Sequence, residues 1–337
     1  MIRFGIVGFG LHGDRRLMPG FERSQNCKVT ALSRRDPQKA AETARRYGIP
    51  HAFTSTEELC RCPDVDAVLV TSPDVFHRAD VLTAIRAGKP VLCEKPMAMN
   101  ADECRAMVEA ARGAKVLFGV AHIFRFEEST ARMREHVASG AIGQPVFARA
   151  EFSYPGGGHG RTWLYNRAMA AGGPVADVGV HCIDTLRYIL QDDPVSITAV
   201  GRSDEQSGDV EAAAILSLEF RRGTLATVLV STRAQYRTPL EIVGSQGVLR
   251  AQDGLTVDRP VTVEVWRDQQ LVASDSVSNA LAYARQVDSF AAAIEGAGTF
   301  PIPGEVGWQN QMILDAAYRS MASGRKQEIL GLESVKA

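Results

Sequence analysis

Long hydrophobic runs are absent from this 337-residue chain: no stretch approaches the ~18 consecutive apolar residues that a membrane-spanning helix requires. Charge of one sign is not in excess either. Lys and Arg number 38 against 39 Asp and Glu, a net charge of -1, which argues against a generic binder of nucleic acid or of an anionic membrane. Cysteine is sparse. Cys27, Cys60, Cys62, Cys93, Cys104 and Cys182 follow no disulfide rhythm, and Cys60-x-Cys62 lacks the second pair that would complete a zinc site. The opening MIRFGIVGFG runs straight into a strand pattern without the layout of a secretory leader, so a cytoplasmic chain with reduced thiols and no metal is expected.

What is present is the composition of an ordinary globular protein, 45% hydrophobic and 23% charged, at a length that favours two domains. From 1 to about 120, buried-strand runs (Ile2–Val7, Lys28–Leu32, Ala67–Val70, Pro90–Cys93, Val116–Val120) alternate with helical stretches. Those stretches are Gln38–Tyr47, Val75–Ala87 and Ala101–Arg112, with Gly48, Gly88 and Gly113 as stops and Asp36-Pro37 as a cap. The alternation predicts a doubly wound parallel sheet, a Rossmann-type domain over 1–120. After 121 the pattern changes: a helix around Glu127–Ala138, another near Val175–Leu190, and several strand-like runs separated by short polar turns. Two late helices, Leu281–Glu295 and Glu305–Ser323, close the chain. This predicts an α+β domain over 121–337 with a large, mostly antiparallel open sheet, one face of which must be covered by helices or by another subunit.

Ile2–Val7 followed by Gly8-Phe9-Gly10-Leu11-His12-Gly13 is the strand–turn–helix setting of the dinucleotide fingerprint. Gly8, Gly10 and Gly13 permit a tight turn and close backbone approach to a pyrophosphate, and Leu11 and His12 lie on the same turn, where the helix N-terminus offers partial positive charge. Where that fingerprint has a carboxylate for the ribose 2′-hydroxyl, this chain has Ser33-Arg34-Arg35, a hydroxyl and guanidinium groups suited to a 2′-phosphate. NADP is therefore expected, with NAD possible if Asp36 serves the ribose instead. Thr71, Ser72 and His77 follow the strand Ala67–Val70, at the carboxyl edge where a dinucleotide crosses the sheet.

With Cys93-Glu94-Lys95-Pro96 in place, the chain resembles the Gfo/Idh/MocA oxidoreductases over nearly its whole length. The resemblance rests on GFGLHG, TSPDVFH (Thr71–His77), CEKP, GGPVADVGVHCIDTLRY (Gly172–Tyr188) and the terminal GEVGWQNQMILDAAYRSMASGR, in that order. It implies that Lys95, Asp177 and His181 line the place where nicotinamide meets substrate. The residue chemistry agrees: His181 can take a hydroxyl proton, Lys95 can hold the oxygen as negative charge develops, and Asp177 can orient the pair or bond substrate. Asp177 and His181 lie four apart, on one helical face. The resemblance further implies that Glu94 supports the cofactor ribose or Lys95, that Pro96 follows a cis bond, and that His122, Arg125, Trp163 and Asp184 face the substrate. Arg125 reads equally well as a domain-interface ion pair, and Arg187 as structural. Two positions depart from the family: Asp74 stands where Asn is usual, and Leu164 stands where an arginine often follows the tryptophan. His51, His136 and His159 have no partner at ligand spacing and read as ordinary residues.

The function implied is NADP(H)-dependent hydride transfer to or from a sugar, polyol or related hydroxy or keto compound. A catalytically silent dinucleotide-binding sensor and an NAD-dependent glycosidase are the other readings of the same fold. A homo-oligomer, dimer or tetramer, built through the C-terminal sheet is expected, without nucleic-acid or membrane partners.

Overall fold

The computed structural model describes residues 1–156, 160–257 and 259–332; His159 lies outside them. Among the described residues two sheets form. The first orders its strands β3-β2-β1-β4-β5-β6, all parallel: β1 (Ile2–Val7), β2 (Cys27–Ser33), β3 (His51–Phe53), β4 (Ala67–Val70), β5 (Val91–Cys93) and β6 (Phe118–Val120). Its linking helices are α1 (Met18–Arg23), α2 (Pro37–Tyr47), α3 (Thr56–Arg61), α4 (Asp74–Arg86) and α5 (Ala101–Ala114). Their starts follow from local chemistry. Asp36 caps α2 by accepting from the Lys39 amide at 3.0 Å, and Ser55 and Asn100 do the same for α3 and α5. Gly48 ends α2 in the left-handed conformation, as expected. Gly113 does not end α5; it lies within the helix, and Lys115 at φ 55° makes the stop.

The second sheet runs β14-β13-β12-β11-β7-β10-β9-β8-β15. Its strands are β7 (Pro145–Ser153), β8 (Pro194–Arg202), β9 (Ala213–Phe220), β10 (Leu225–Ser231), β11 (Leu240–Gly244), β12 (Val248–Ala251), β13 (Pro260–Arg267), β14 (Gln270–Ser278) and β15 (Gln327–Glu328). Only the β7–β10 pair is parallel among the described residues. The period-two burial of β9 shows one face inward and one outward. Helices α6 (Glu128–Ala138), α7 (Val180–Leu190) and α9 (Gly304–Ser323) cover the inner face. The outer face leaves Phe147, Ile215 and Leu225 about half exposed, and Phe147 and Leu225 line a concavity of about 740 Å³ there.

Of the two late helices, the first does not stay with the second sheet. Helix α8 (Ala282–Ile294) packs on α1, and Phe290, Phe300 and Ile302 join the core of the parallel sheet. Phe290 meets Phe300 edge-on at 5.1 Å and Phe4 at 6.3 Å. The chain thus returns to the first core before α9 bridges both, which fixes the cleft between the sheets. All six cysteines are free and buried, and among the described residues no helix is long and apolar enough to cross a membrane.

Candidate active site at the carboxyl edge of the parallel sheet

The strand ends of the parallel sheet open into a cleft of about 680 Å³ that continues into a groove of about 360 Å³ past the end of β2. Gly8 adopts φ +74°, and a Cβ there would stand 2.5 Å from Ser72 Cα; the turn and the β4–α4 loop touch backbone to backbone. A Cβ on Gly13 would meet the Phe9 ring at 3.0 Å, so this glycine serves packing. Leu11 and His12 line the cleft beside Gly10. The first intrahelical amide ties Asp14 N to Gly10 O, and the amides ahead of it form the free first turn that an anion can use.

Around this turn the polar groups brace one another. Thr71 Oγ1 donates to Val7 O and Gly8 O at 3.0 and 3.2 Å, and Ser72 Oγ donates to Asp80 at 2.6 Å. His77, expected as a cofactor contact, lines the cleft but has its ring nitrogens on Ser72 O (2.7 Å) and Pro96 O (3.0 Å). It clamps the loop that follows β4 to the one that follows β5. Glu94 is buried and bonds His12 Nε2 at 2.9 Å and the Lys95 amide at 3.3 Å. Burial works to raise its pKa, but the neighbouring His12 and Lys95 hold it below the usual range.

In the side groove Ser33 is buried and Arg34 is aimed by a 2.7 Å bond from Nη1 to Thr43. Arg35 lies over the Phe76 ring at 5.4 Å. Of the carboxylates there, Asp36 is engaged as the α2 cap and Asp80 by Thr56 and Ser72. Turn, groove and cations together fit a dinucleotide.

Lys95, before the cis bond to Pro96, meets Asp177 on the cleft floor. Its Nζ lies 2.8 Å from Asp177 O and 3.3 Å from Oδ1. The expected helix begins as a wider π turn, Val175–Gly179, that carries Asp177; α7 then carries His181, and both side chains line the cleft. Tyr154 and Arg161, which the sequence reading missed, complete the cluster. Tyr154 donates to Asp177 Oδ2 at 2.7 Å and Arg161 Nη2 lies 3.6 Å from the same atom. Burial opposes the charge on Asp177, but Lys95, Arg161 and Tyr154 overcome it and hold the pKa well below the ordinary range. Burial, helped by the Lys95 charge, pushes His181 well below its ordinary value, so its ring is neutral. Its ring meets Phe124 edge-on at 4.6 Å and lies over Phe152 at 6.3 Å, and Nδ1 is buried without a hydrogen-bond partner. Trp163 lines the cleft, and Arg161, two positions before it, supplies an arginine where Leu164 does not.

His122, Arg125 and Asp184 do not line this cleft. Asp184 is 1% exposed and takes a two-pronged bond from Arg125 (2.7 and 2.9 Å) and one from Asn310 (2.8 Å). Asn310 also donates to His122 Nε2, while Arg187 bonds Asn310, Gln309 and Asp193. Burial lowers the His122 pKa to about 4, so that ring is neutral. His122, Arg125 and Asp184 belong to a buried network joining the stretch after β6, α7 and α9, with Arg125 in the ion pair that is its other reading.

Asp74 is buried, accepts from the Ala171 amide at 3.0 Å, and has its pKa raised from 3.8 to about 6 by burial. The native state therefore binds more protons than the unfolded chain between about pH 4 and pH 6, and stability from this group falls as pH rises through that window. Asp74→Asn is expected to stabilise the protein at pH 8 by up to about 3 kcal/mol and to leave pH 4 nearly unchanged. Thermal denaturation at the two pH values checks this; equal effects at both would reject ionisation as the cause.

Residues 2–122 match the oxidoreductase family with an NAD-binding Rossmann fold, and residues 130–250 match the GFO/IDH/MocA C-terminal domain. The chain belongs to the Gfo/Idh/MocA oxidoreductase family. It is 33% identical to a 1,5-anhydro-D-fructose reductase of Ensifer adhaerens over 98% of this chain and 99% of that one. An inositol 2-dehydrogenase of Burkholderia lata is 29% identical over 97% and 96% of the two chains. Among solved structures, an aldose-aldose oxidoreductase from Caulobacter crescentus in complex with glycerol superposes with a TM-score of 0.90 at 25% identity, covering 97% of this chain and 99% of that one. This Gfo/Idh/MocA member is thus an oxidoreductase with a dinucleotide-binding parallel sheet and a second, mostly antiparallel one.

Proposed function

We propose that this oxidoreductase uses NADP(H) to interconvert a hydroxyl and a carbonyl on a cyclic sugar or polyol, reduction of a ketosugar being the favoured direction. The observation that carries the reading is the convergence of Lys95, Asp177 and His181 in one cleft with the glycine turn. When bound, the nicotinamide supplies or accepts the hydride. Lys95 Nζ holds the substrate oxygen and offsets its developing negative charge. Neutral His181 takes the hydroxyl proton during oxidation and returns it during reduction. Asp177, kept ionised, positions Lys95, and Tyr154 and Arg161 keep Asp177 in place. The relative from Ensifer adhaerens makes 1,5-anhydro-D-fructose the first compound to try. NADPH consumption, followed at the nicotinamide absorbance over a panel of ketosugars, aldoses and polyols, tests the reading; no turnover of any would overturn it.

NADP rather than NAD rests on Ser33 and Arg34 at a groove whose Asp36 and Asp80 are otherwise engaged. Arg34→Ala is expected to weaken NADPH binding by about 10–100-fold, the loss of one charged hydrogen-bond partner, with NADH nearly unaffected. Fluorescence titration with both nucleotides decides it; equal losses would place Arg34 away from the 2′-phosphate. The half-exposed Phe147, Ile215 and Leu225 on the uncovered sheet face support a homo-oligomer formed through that sheet. The same reading divides the chain near residue 120 and places it in the cytoplasm with its thiols reduced.

A further inference from the structure

His51, Cys62 and Asp64 converge although no spacing in the sequence joins them. Each offers one ligand atom, and these atoms all lie within 4.8 Å of one another. His51 opens β3, Cys62 follows α3, and Asp64 precedes β4. The cluster thus sits toward the strand starts, away from Gly8, Ser33 and Thr71 at the strand ends, and it shares no residue with the cleft or its side groove.

We propose that His51, Cys62 and Asp64 form a site for one thiophilic divalent cation of the zinc class, with water as the fourth ligand. A tetrahedral ion with bonds of this class needs its ligand atoms roughly 3.3–3.6 Å apart. His51 Nε2 and Asp64 Oδ2 are 2.9 Å apart, so seating an ion between them requires a small opening of one exposed pair. The donor set itself selects the metal. Imidazole and thiolate exclude magnesium and calcium, which take oxygen ligands, and favour zinc, cobalt or cadmium. Asp64 and the thiolate together balance the ion's two charges.

The surroundings hold the ligands as a built site would. Arg3 Nη1 binds the other carboxylate oxygen, Asp64 Oδ1, at 2.7 Å and leaves Oδ2 towards His51. Thr30 Oγ1 donates to Asp64 O at 2.6 Å, fixing the backbone. The His51 ring stacks on Phe53 at 6.2 Å with planes 16° apart, which limits its swing. Cys62 is buried, whereas the His51 and Asp64 side chains are 36% and 49% exposed, so an ion can enter from solvent and keep a water.

Co²⁺ is the probe, because a tetrahedral cobalt–thiolate site absorbs in the near ultraviolet and the visible. Titrating the full-length, reduced, metal-free protein with Co²⁺ should give bands that saturate at one ion per chain and disappear on adding Zn²⁺. Cys62→Ser should abolish the thiolate band, and His51→Gln, a change at a half-exposed ring, should weaken binding at least tenfold. Cys27→Ala should leave both band and affinity unchanged, and NADPH binding should be the same in every variant. Absence of a saturable band in the wild type, or a band that survives Cys62→Ser, would overturn the proposal. If Cys62→Ser does not fold, unaltered Co²⁺ affinity in His51→Gln would overturn it as well.

Discussion

Lys95→Ala is expected to lower kcat by about 10²–10⁴-fold while NADPH affinity stays within about threefold of the wild type. The expectation follows from where the ammonium group sits. Its side chain is only 12% exposed, and its charge lies against the carbonyl and carboxylate of Asp177 rather than in solvent. On the proposed reading, removing it deletes a cation placed to meet an oxygen that becomes anionic at the turn of hydride transfer. It also removes the largest influence holding the Asp177 pKa down, leaving Arg161 and the Tyr154 hydroxyl to do so alone. The residual activity of the variant should therefore fall away at a higher pH than that of the wild type as the medium is acidified, since Asp177 now protonates sooner. Lys95→Arg should not rescue turnover, because a planar guanidinium cannot replace a point donor that bonds one oxygen at 2.8 Å. Steady-state kinetics with NADPH, beside fluorescence titration of the nucleotide, separate the outcomes. If affinity falls as far as kcat, Lys95 is a cofactor contact. If kcat stays within tenfold, the assignment of Lys95 to stabilising the substrate oxygen fails.

What the sequence disclosed was local. The run Ile2–Val7 ahead of Gly8 implies a strand, a turn and a helix because all three depend on neighbours in the chain. The Asp36 cap is of the same kind, and its legibility freed Ser33 and Arg34 to be read as the nucleotide end of the groove. Strands with weak patterns escaped. β3 has three residues, and β14 is exposed along most of its length, so neither carries a hydrophobic period. The contacts that escaped are those between distant segments. Tyr154 ends up on Asp177 because β7 runs beneath the π turn, and no spacing between 154 and 177 announces it. His51 lies 13 positions from Asp64 and meets it only because β3 is laid beside β2. Asp184 lies three residues after His181 and is polar, which looks like a second substrate contact. The structure turns it instead towards Arg125 and Asn310, a partner 126 residues away.

That reassignment has a large consequence for stability. Asp184→Ala is expected to destabilise the protein by about 3–5 kcal/mol, the cost of breaking a buried charge pair by removing one partner. Asp184 is held ionised, well below the usual carboxylate range; burial opposes this, and the Arg125 charge prevails with the hydrogen bonds from Arg125 and Asn310 assisting. Arg125 is 12% exposed at its side chain and cannot turn fully to water. With the carboxylate gone, Arg125 keeps among the described residues the face of Tyr188, at 5.3 Å, and Asn310 loses an acceptor while still bound to His122 and Arg187. The damage spreads to α9, which carries Asn310, and so to the helix that ties the two sheets together. Asp184→Asn should recover part of the loss, since an amide oxygen still accepts one bond from Arg125. Urea denaturation of the three proteins measures the cost. Kinetics well below the midpoint supply the second arm: KM for the sugar should change by less than about threefold, because no atom of Asp184 reaches the cleft. A tenfold rise in KM with stability unchanged would return Asp184 to the substrate and make the buried network a part of the site.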